Sequence, residues 1–198
     1  MKDIDDLANK ALELKKKGLS DKEIATDLHL STNTVIWLLS RGFKTVIEKP
    51  KDIKVGWKSI GVYSSRIDYL ANIMSDIIVE EIESKNIEVD TIVGVAINGI
   101  PLATLISLTL DRELAVYRPH PTREDGSFSS NFATIKNKKV VIVDDVLSTG
   151  ETMSKAIEDV QKNGGETVLG MAIVNKTGKD IINGVRVRSL IRSQLLIE

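Results

Sequence analysis

A chain of 198 residues has room for one domain of about 150 residues plus a small appendage, and its 27 Lys and Arg against 28 Asp and Glu leave a formal net charge of -1. It has no cysteine and only two histidines, His29 and His120, which excludes disulfides and thiolate nucleophiles and argues against a histidine-rich zinc site. No stretch approaches about 18 uninterrupted apolar residues, and the opening MKDIDDLANKALEL has no apolar signal core, so a soluble cytoplasmic protein without a membrane segment is expected.

Residues 1 to about 42 read as helices only, whereas β-rich runs begin after residue 90. The expected division is a head at 1–48, a linker or wing at 49–64 and a body at 65–198. Within the head, GLSDKEIATDLHLSTNTVIWLLSRG holds two helix starts. Ser20 with Glu23 three residues on has the spacing of a capping box for a short helix to about Leu28. Ser31 caps a second helix running to Arg41, where Gly42 can end it. Ile24, Leu28, Leu30, Val35 and Leu38 form the expected buried face, and Ala25 is small enough for two helices to cross closely.

This layout resembles the bacterial and archaeal helix-turn-helix over about twenty residues. It departs from that pattern at His29, where glycine in a left-handed conformation is usual. The resemblance makes the second helix the recognition helix, with Ser31, Thr32, Asn33, Ile36, Trp37 and Arg41 as candidate DNA contacts. Asn33 suits an adenine edge and Ser31 or Thr32 a phosphate or base. Ile36 and Trp37 suit thymine methyls or, equally, packing against the other domain or a second subunit. A protein-binding module is the competing reading of the whole head.

Residues 1–48 carry eight basic and eight acidic side chains, which is no basic footprint. In the run 41–58, Arg41, Lys44, Lys49, Lys51, Lys54 and Lys58 against Glu48 and Asp52 leave +4. That run is either an arm on phosphates or a solvated linker.

Beyond the linker, helix and strand alternate, as in a parallel sheet covered by helices. A helix is expected at 65–84, strands at 91–97, 113–117, 139–143, 167–174 and 185–191, and helices from Pro101 and over 150–163. The stretch from Arg118 to Lys138 lacks periodicity and is long for a compact domain, so it reads as a lid or partner-binding loop, or as a disordered insertion. In VVIVDDVLSTGET, residues 140–152, a β-branched strand leads into two acids, with a helix expected near Gly150. Small residues at a helix start let N–H groups approach an anion, and Ser148, Thr149 and Thr152 add hydroxyl donors. The stretch is a candidate phosphate cradle beside two carboxylates.

VVIVDDVLSTGET resembles the phosphoribosyl pyrophosphate signature of type I phosphoribosyltransferases. The resemblance covers about residues 65–190. It implies that Asp144 and Asp145 face the ribose hydroxyls, that Val146 and Leu147 are the two connecting residues, and that Ser148, Thr149, Gly150, Glu151 and Thr152 hold the 5′-phosphate. TIVGVAINGIPLA resembles the family's pyrophosphate loop, especially its orotate version, which assigns Ala96, Ile97, Asn98 and Gly99 to the diphosphate. Magnesium would then bridge diphosphate and ribose oxygens without direct protein ligands.

The orotate enzymes stabilise the departing pyrophosphate with lysines on a mobile hood loop. The corresponding YRPHPTREDGSFSSNF has none, only Arg118, His120 and Arg123, with Pro119 and Pro121 stiffening the backbone. VNKTG at 174–178 stands where the enzymes carry an arginine and acids, and their substrate-contacting lysine motif upstream of the first helix is not recognisable.

A helix-turn-helix head on such a body resembles archaeal orotate-phosphoribosyltransferase-like transcriptional regulators. The implied fold is α/β: a type I phosphoribosyltransferase-like parallel sheet flanked by helices, behind a small all-α head that is winged or unwinged. The implied protein is a non-catalytic, homodimeric DNA-binding regulator of sugar or nucleotide metabolism that senses phosphoribosyl pyrophosphate or a related ribose phosphate or nucleotide and requires no cofactor. The competing expectation is an active orotate or purine phosphoribosyltransferase with an accessory head.

Overall fold

The computed structural model describes residues 4–40, 52–120 and 126–193. The chain divides into two compact units, residues 1–56 with 195–198, and residues 57–194. The division at 56/57 falls inside the stretch expected to be linker.

The smaller unit contains α1 (Ile4–Lys16), α2 (Asp21–Leu28) and α3 (Thr32–Ser40). Ser20 and Glu23 form the capping box: each reaches the other's backbone N–H, at 3.3 and 2.8 Å. His29 adopts φ 54° and ψ 42°, the left-handed position that ends a helix. Its N–H donates to the Thr26 carbonyl and that of Leu30 to the Ala25 carbonyl, at 3.2 and 2.9 Å. A histidine thus accepts the conformation that glycine holds in the pattern it resembles. Ser31 Oγ accepts the Thr34 N–H at 3.1 Å and starts α3. Ala11, Ile24, Ala25, Leu28, Leu30, Val35 and Leu38 form the core, with Leu7, Leu14 and Trp37 packed against it. The expected end of α3 at Arg41 and Gly42, and the first eleven residues of the basic run, lie outside the described residues.

The larger unit begins with the single turn α4 (Lys58–Gly61) and the long helix α5 (Ser64–Lys85). It continues with β1 (Thr91–Val95), α6 (Gly99–Leu110), β2 (Glu113–Arg118) and β3 (Ser127–Phe128). Then follow β4 (Lys139–Leu147), α7 (Glu151–Lys162), β5 (Glu166–Asn175), β6 (Ile181–Ile182) and β7 (Val185–Arg192). The sheet order is β3-β2-β1-β4-β5-β7-β6. Pairing is parallel from β2 through β7, while β3 and β6 close the edges antiparallel. Burial on both faces explains why β1 and β4 are near-continuous apolar runs.

Two local expectations need correction. Strand β4 does not stop at Val143: it runs on to Leu147, with Asp144 opposite Ala172 and Leu147 opposite Asn175, so both acids lie within the ladder. Nor is the 118–138 stretch wholly irregular. Ser127 and Phe128 pair with Arg118 and Tyr117, and the buried Asp159 accepts the Tyr117 hydroxyl and the Gly126 N–H, both at 2.7 Å. Residues 121–125 of that stretch are outside the described residues. No helix among the described residues is long and apolar enough to cross a membrane.

Strand β7 is tied to α5 by charge. Glu81, 6% exposed, is paired with Arg188, with Arg186 at 2.9 Å and with Lys85 at 3.2 Å. Burial pushes its carboxyl up, but hydrogen bonds from Arg188 and Lys85 and the charge of Arg186 outweigh that and hold it below the ordinary carboxylate range. A group with a depressed folded-state pKa adds stability above its ordinary value and loses it as pH falls through the lowered one. Glu81→Gln is therefore expected to cost about 1 to 3 kcal/mol at pH 7 in urea unfolding followed by circular dichroism, and the deficit should close below about pH 4.

Candidate functional site

In a parallel sheet the loops after the strands gather at one edge, the usual place for ligands. Here the turns after β1 and β4 meet at that edge because β1 and β4 are neighbours in register. Between β1 and α6, Ala96, Ile97 and Asn98 form a tight turn containing a cis Ala96–Ile97 peptide. The Ala96 N–H donates to the Tyr117 carbonyl at 2.8 Å, while Ile97 is 81% exposed. Gly99 is required by contact: a Cβ there would stand 2.4 Å from the Val143 carbonyl oxygen. Only glycine lets α6 start this close to β4.

On the other side, β4 delivers Asp144 and Asp145, 8% and 5% exposed. The Asp145 N–H donates to Asp144 Oδ1 at 2.8 Å. Asp145 Oδ2 accepts the Asn98 amide at 3.0 Å and the Trp57 indole N–H at 2.8 Å. Val146 and Leu147 are buried, Leu147 in the central core, so the direct polar surface comes from their neighbours. Ser148 is half-buried and Thr149 exposed, with Thr149 Oγ1 accepting the Glu151 N–H at 3.3 Å. Gly150 takes φ +84° ahead of α7, a left-handed turn that a residue with a Cβ pays for in strain. Glu151 is exposed and Thr152 half-buried in the first turn of α7.

The segment after β5 lies against this turn. A Cβ on Gly150 would meet Thr177 Cγ2 at 3.3 Å and Ile182 Cδ1 at 3.2 Å. Asn175, 3% exposed, fixes the segment by accepting from the Thr177 N–H at 2.9 Å and hydroxyl at 2.7 Å and donating to the Lys179 carbonyl at 2.8 Å. The conspicuous VNKTG is thus a structured wall beside the Ser148–Thr152 turn.

The structure therefore brings Asp144, Asp145 and Asn98 together, next to the turn carrying Ser148, Thr149 and Thr152. Arg118 lies exposed at the end of β2 and His120 is half-buried just beyond it; Arg123 is outside the described residues. In the smaller unit, Ser31 and Thr32 are half-buried at the start of α3, Asn33 and Ile36 are exposed, and Arg41 is outside the described residues. Trp37 is half-buried and packs against its own unit's core.

Trp57 is the site residue that sequence reasoning missed. Its signal was its setting: an indole amid lysines and glycines needs apolar cover for its ring and a partner for its N–H. The ring lies over Gly61, where a Cβ would stand 2.9 Å from Trp57 Cζ3.

Burial, then the adjacent Asp145 charge, push the Asp144 carboxyl well above its ordinary range. The arrangement favours neutralising partners: hydrogen-bond donors such as sugar hydroxyls, or a cation shared with a ligand. Among the described residues no group of three or more His, Cys, Asp or Glu side chains could hold a metal ion alone. A raised carboxyl pKa costs stability progressively as pH rises above the unfolded value. Asp144→Asn keeps an acceptor for the Asp145 N–H and removes the charge. It should raise the ligand-free melting temperature by about 2 to 4 °C at pH 7, a gain that scanning calorimetry should find fading toward about pH 4.

The comparisons with known proteins agree with this geometry. Residues 66–181 match the model of the phosphoribosyl transferase domain. A relative from Thermoplasma acidophilum, the transcriptional regulator GfcR, is 57% identical over 99% of this chain and 98% of its own. A GfcR from Methanocella arvoryzae is 40% identical over 97% of this chain and 98% of its own. Among solved structures, orotate phosphoribosyltransferase from Aeropyrum pernix aligns with TM-score 0.55 and 21% identity over 73% of this chain and 81% of that one. Adenine phosphoribosyltransferase from Thermoanaerobacter pseudethanolicus aligns with TM-score 0.59 and 17% identity over 75% and 92%. These likenesses establish the type I phosphoribosyltransferase fold of the body, and the relatives matched along their whole length are regulators. The chain belongs to the GfcR family of transcriptional regulators, which carry a phosphoribosyl transferase domain.

Proposed function

We propose that the chain binds DNA through its α2–α3 pair and senses phosphoribosyl pyrophosphate, or a closely related ribose phosphate, in the body without transferring the ribose. The observation that carries this reading is the buried acid pair of β4 facing Asn98 and followed directly by the Gly150 turn. Two carboxylates accept the vicinal ribose hydroxyls, and the small hydroxyl residues at the start of α7 suit a phosphate. The Ala96–Gly99 turn supplies the opposite wall for a diphosphate, and a magnesium ion, where one is used, is held chiefly by ligand oxygens.

The chemistry that would follow in an enzyme lacks its donors. The hood sequence from Tyr117 to Phe132 contains no lysine, and an arginine fork does not replace a compact ammonium at a leaving pyrophosphate. Retained binding with weakened charge stabilisation supports a sensor. The names of the relatives support the DNA partner.

In the smaller unit, the exposed Asn33 and the N-terminus of α3 form the reading surface, while Trp37 serves the core. Two copies joined through their bodies would set two such helices about 34 Å apart, one turn of DNA. Ligand control then needs a coupling of about 1 to 3 kcal/mol between occupied and empty arrangements.

The test is electrophoretic retention of the DNA upstream of the protein's own gene, with and without phosphoribosyl pyrophosphate and magnesium. Wild type is expected to shift its apparent affinity about 5- to 150-fold with the ligand. The Asp144→Asn/Asp145→Asn double variant should bind the same DNA and not respond; a double variant that still responds rejects the pocket as the sensor. The competing enzymatic reading draws on the intact acid pair and is tested by absorbance assays with orotate and purines. Turnover should stay well below about 1 per second, and a rate within the ordinary enzymatic range would establish a transferase instead.

A further inference from the structure

The chain crossing from one unit to the other is fastened by a side chain at each end. Asp52 belongs to the smaller unit. Its Oδ2 accepts the Ser31 N–H at 2.6 Å and the Thr34 hydroxyl at 2.9 Å, so it holds the N-terminus of α3 from outside that helix. Its Oδ1 accepts the next N–H, of Ile53, at 2.8 Å. Five residues later Trp57 opens the larger unit, and its indole N–H is bonded to Asp145 in the candidate ligand site. Residues 52–57 have no regular secondary structure between these fastenings.

A carboxylate oxygen offers two lone pairs. Asp145 Oδ2 already takes two donors, Asn98 and Trp57. A ribose hydroxyl can reach that oxygen only by displacing one of them. Asn98 sits in the tight turn that starts α6, locked by the contact of Gly99 with Val143. Trp57 sits on irregular chain before a four-residue helix that has no side-chain cap. The donor free to leave is the indole.

We propose that Trp57 is the effector-coupled residue of this site: its indole N–H and a ribose hydroxyl compete for Asp145 Oδ2, and residues 52–57 act as a strap that relays the displacement of the indole to the N-terminus of α3. The inference rests on the ribose-phosphate reading given above. It adds a specific consequence: a ligand without a free hydroxyl at the Asp145 position binds without releasing the strap. The end of α3 that receives the signal is the end at which the exposed Asn33 stands.

Two variants act on the contact differently. Trp57→Phe keeps an aromatic ring and removes the donor. Gly61→Ala keeps the donor and places a methyl 2.9 Å from the far edge of the indole, which must then shift. Both should tighten binding of phosphoribosyl pyrophosphate with magnesium in titration calorimetry, by about 10-fold for Trp57→Phe, the ordinary worth of a hydrogen bond to a charged group, and by less for Gly61→Ala. In Trp37→Phe protein, where Trp57 is the sole tryptophan, the same ligand should change the emission saturably. Hydrogen exchange in the peptide covering residues 31–36 should rise on ligand binding in wild type and stay unchanged in Trp57→Phe.

Wild type that binds the ligand while both variants bind with unchanged affinity, or exchange at 31–36 that responds equally in Trp57→Phe, overturns the strap and leaves the sensor reading standing. Wild type that takes up no ligand overturns the sensor reading and the strap together.

Discussion

Two adjacent carboxylates buried near the end of a central parallel strand set the conditions for everything around them. Both are buried there, and burial with the adjacent Asp145 charge raises the cost of charging Asp144. The fold answers that cost locally. The Asp145 N–H bonds Asp144, the Asn98 amide and Trp57 indole bond Asp145, and Asp144 is held toward its neutral form. The neighbouring turn places further hydroxyls and backbone N–H groups beyond Asp145.

The sheet order makes that possible. With β4 between β1 and β5, the turns leading into α6 and α7 open at the same edge as the two acids. Close approach is set by Gly99 against Val143 and by the positive φ of Gly150, while Asn175 and Thr177 brace the outer side. None of these features requires chemistry to follow binding. The hood sequence from Tyr117 to Phe132 carries no lysine, and the Trp57 indole bonds Asp145.

Much of this was legible in the sequence because strong local constraints govern it. β-Branched runs marked the strands to within a few residues, and Ser20 with Glu23 announced the start of α2. The paired aspartates before a small-residue turn marked the end of β4 at which the turns into α6 and α7 gather. Other parts were decided by partners distant in sequence. Strand β4 extends past Val143 because β5 continues to pair with it through Asn175, which no local pattern reveals. Ser127 and Phe128 become a strand only because Tyr117 and Asp159 secure them. Trp37 suited a groove or a packed face equally in the sequence, and its partial burial against the core of α1–α3 is decided by the neighbouring helices. Trp57 reads as linker because its partner, Asp145, lies far along the chain.

The central claim, that the acid pair grips a ribose phosphate and leaves it intact, is tested most directly by phosphorus NMR of phosphoribosyl pyrophosphate mixed with the protein, magnesium and orotate. The expected spectrum shows all three phosphorus signals of the ligand broadened or shifted in proportion to protein, persisting over hours, with no more inorganic pyrophosphate than in a protein-free control. Signals unaffected by the protein, or steady conversion to pyrophosphate, would contradict it.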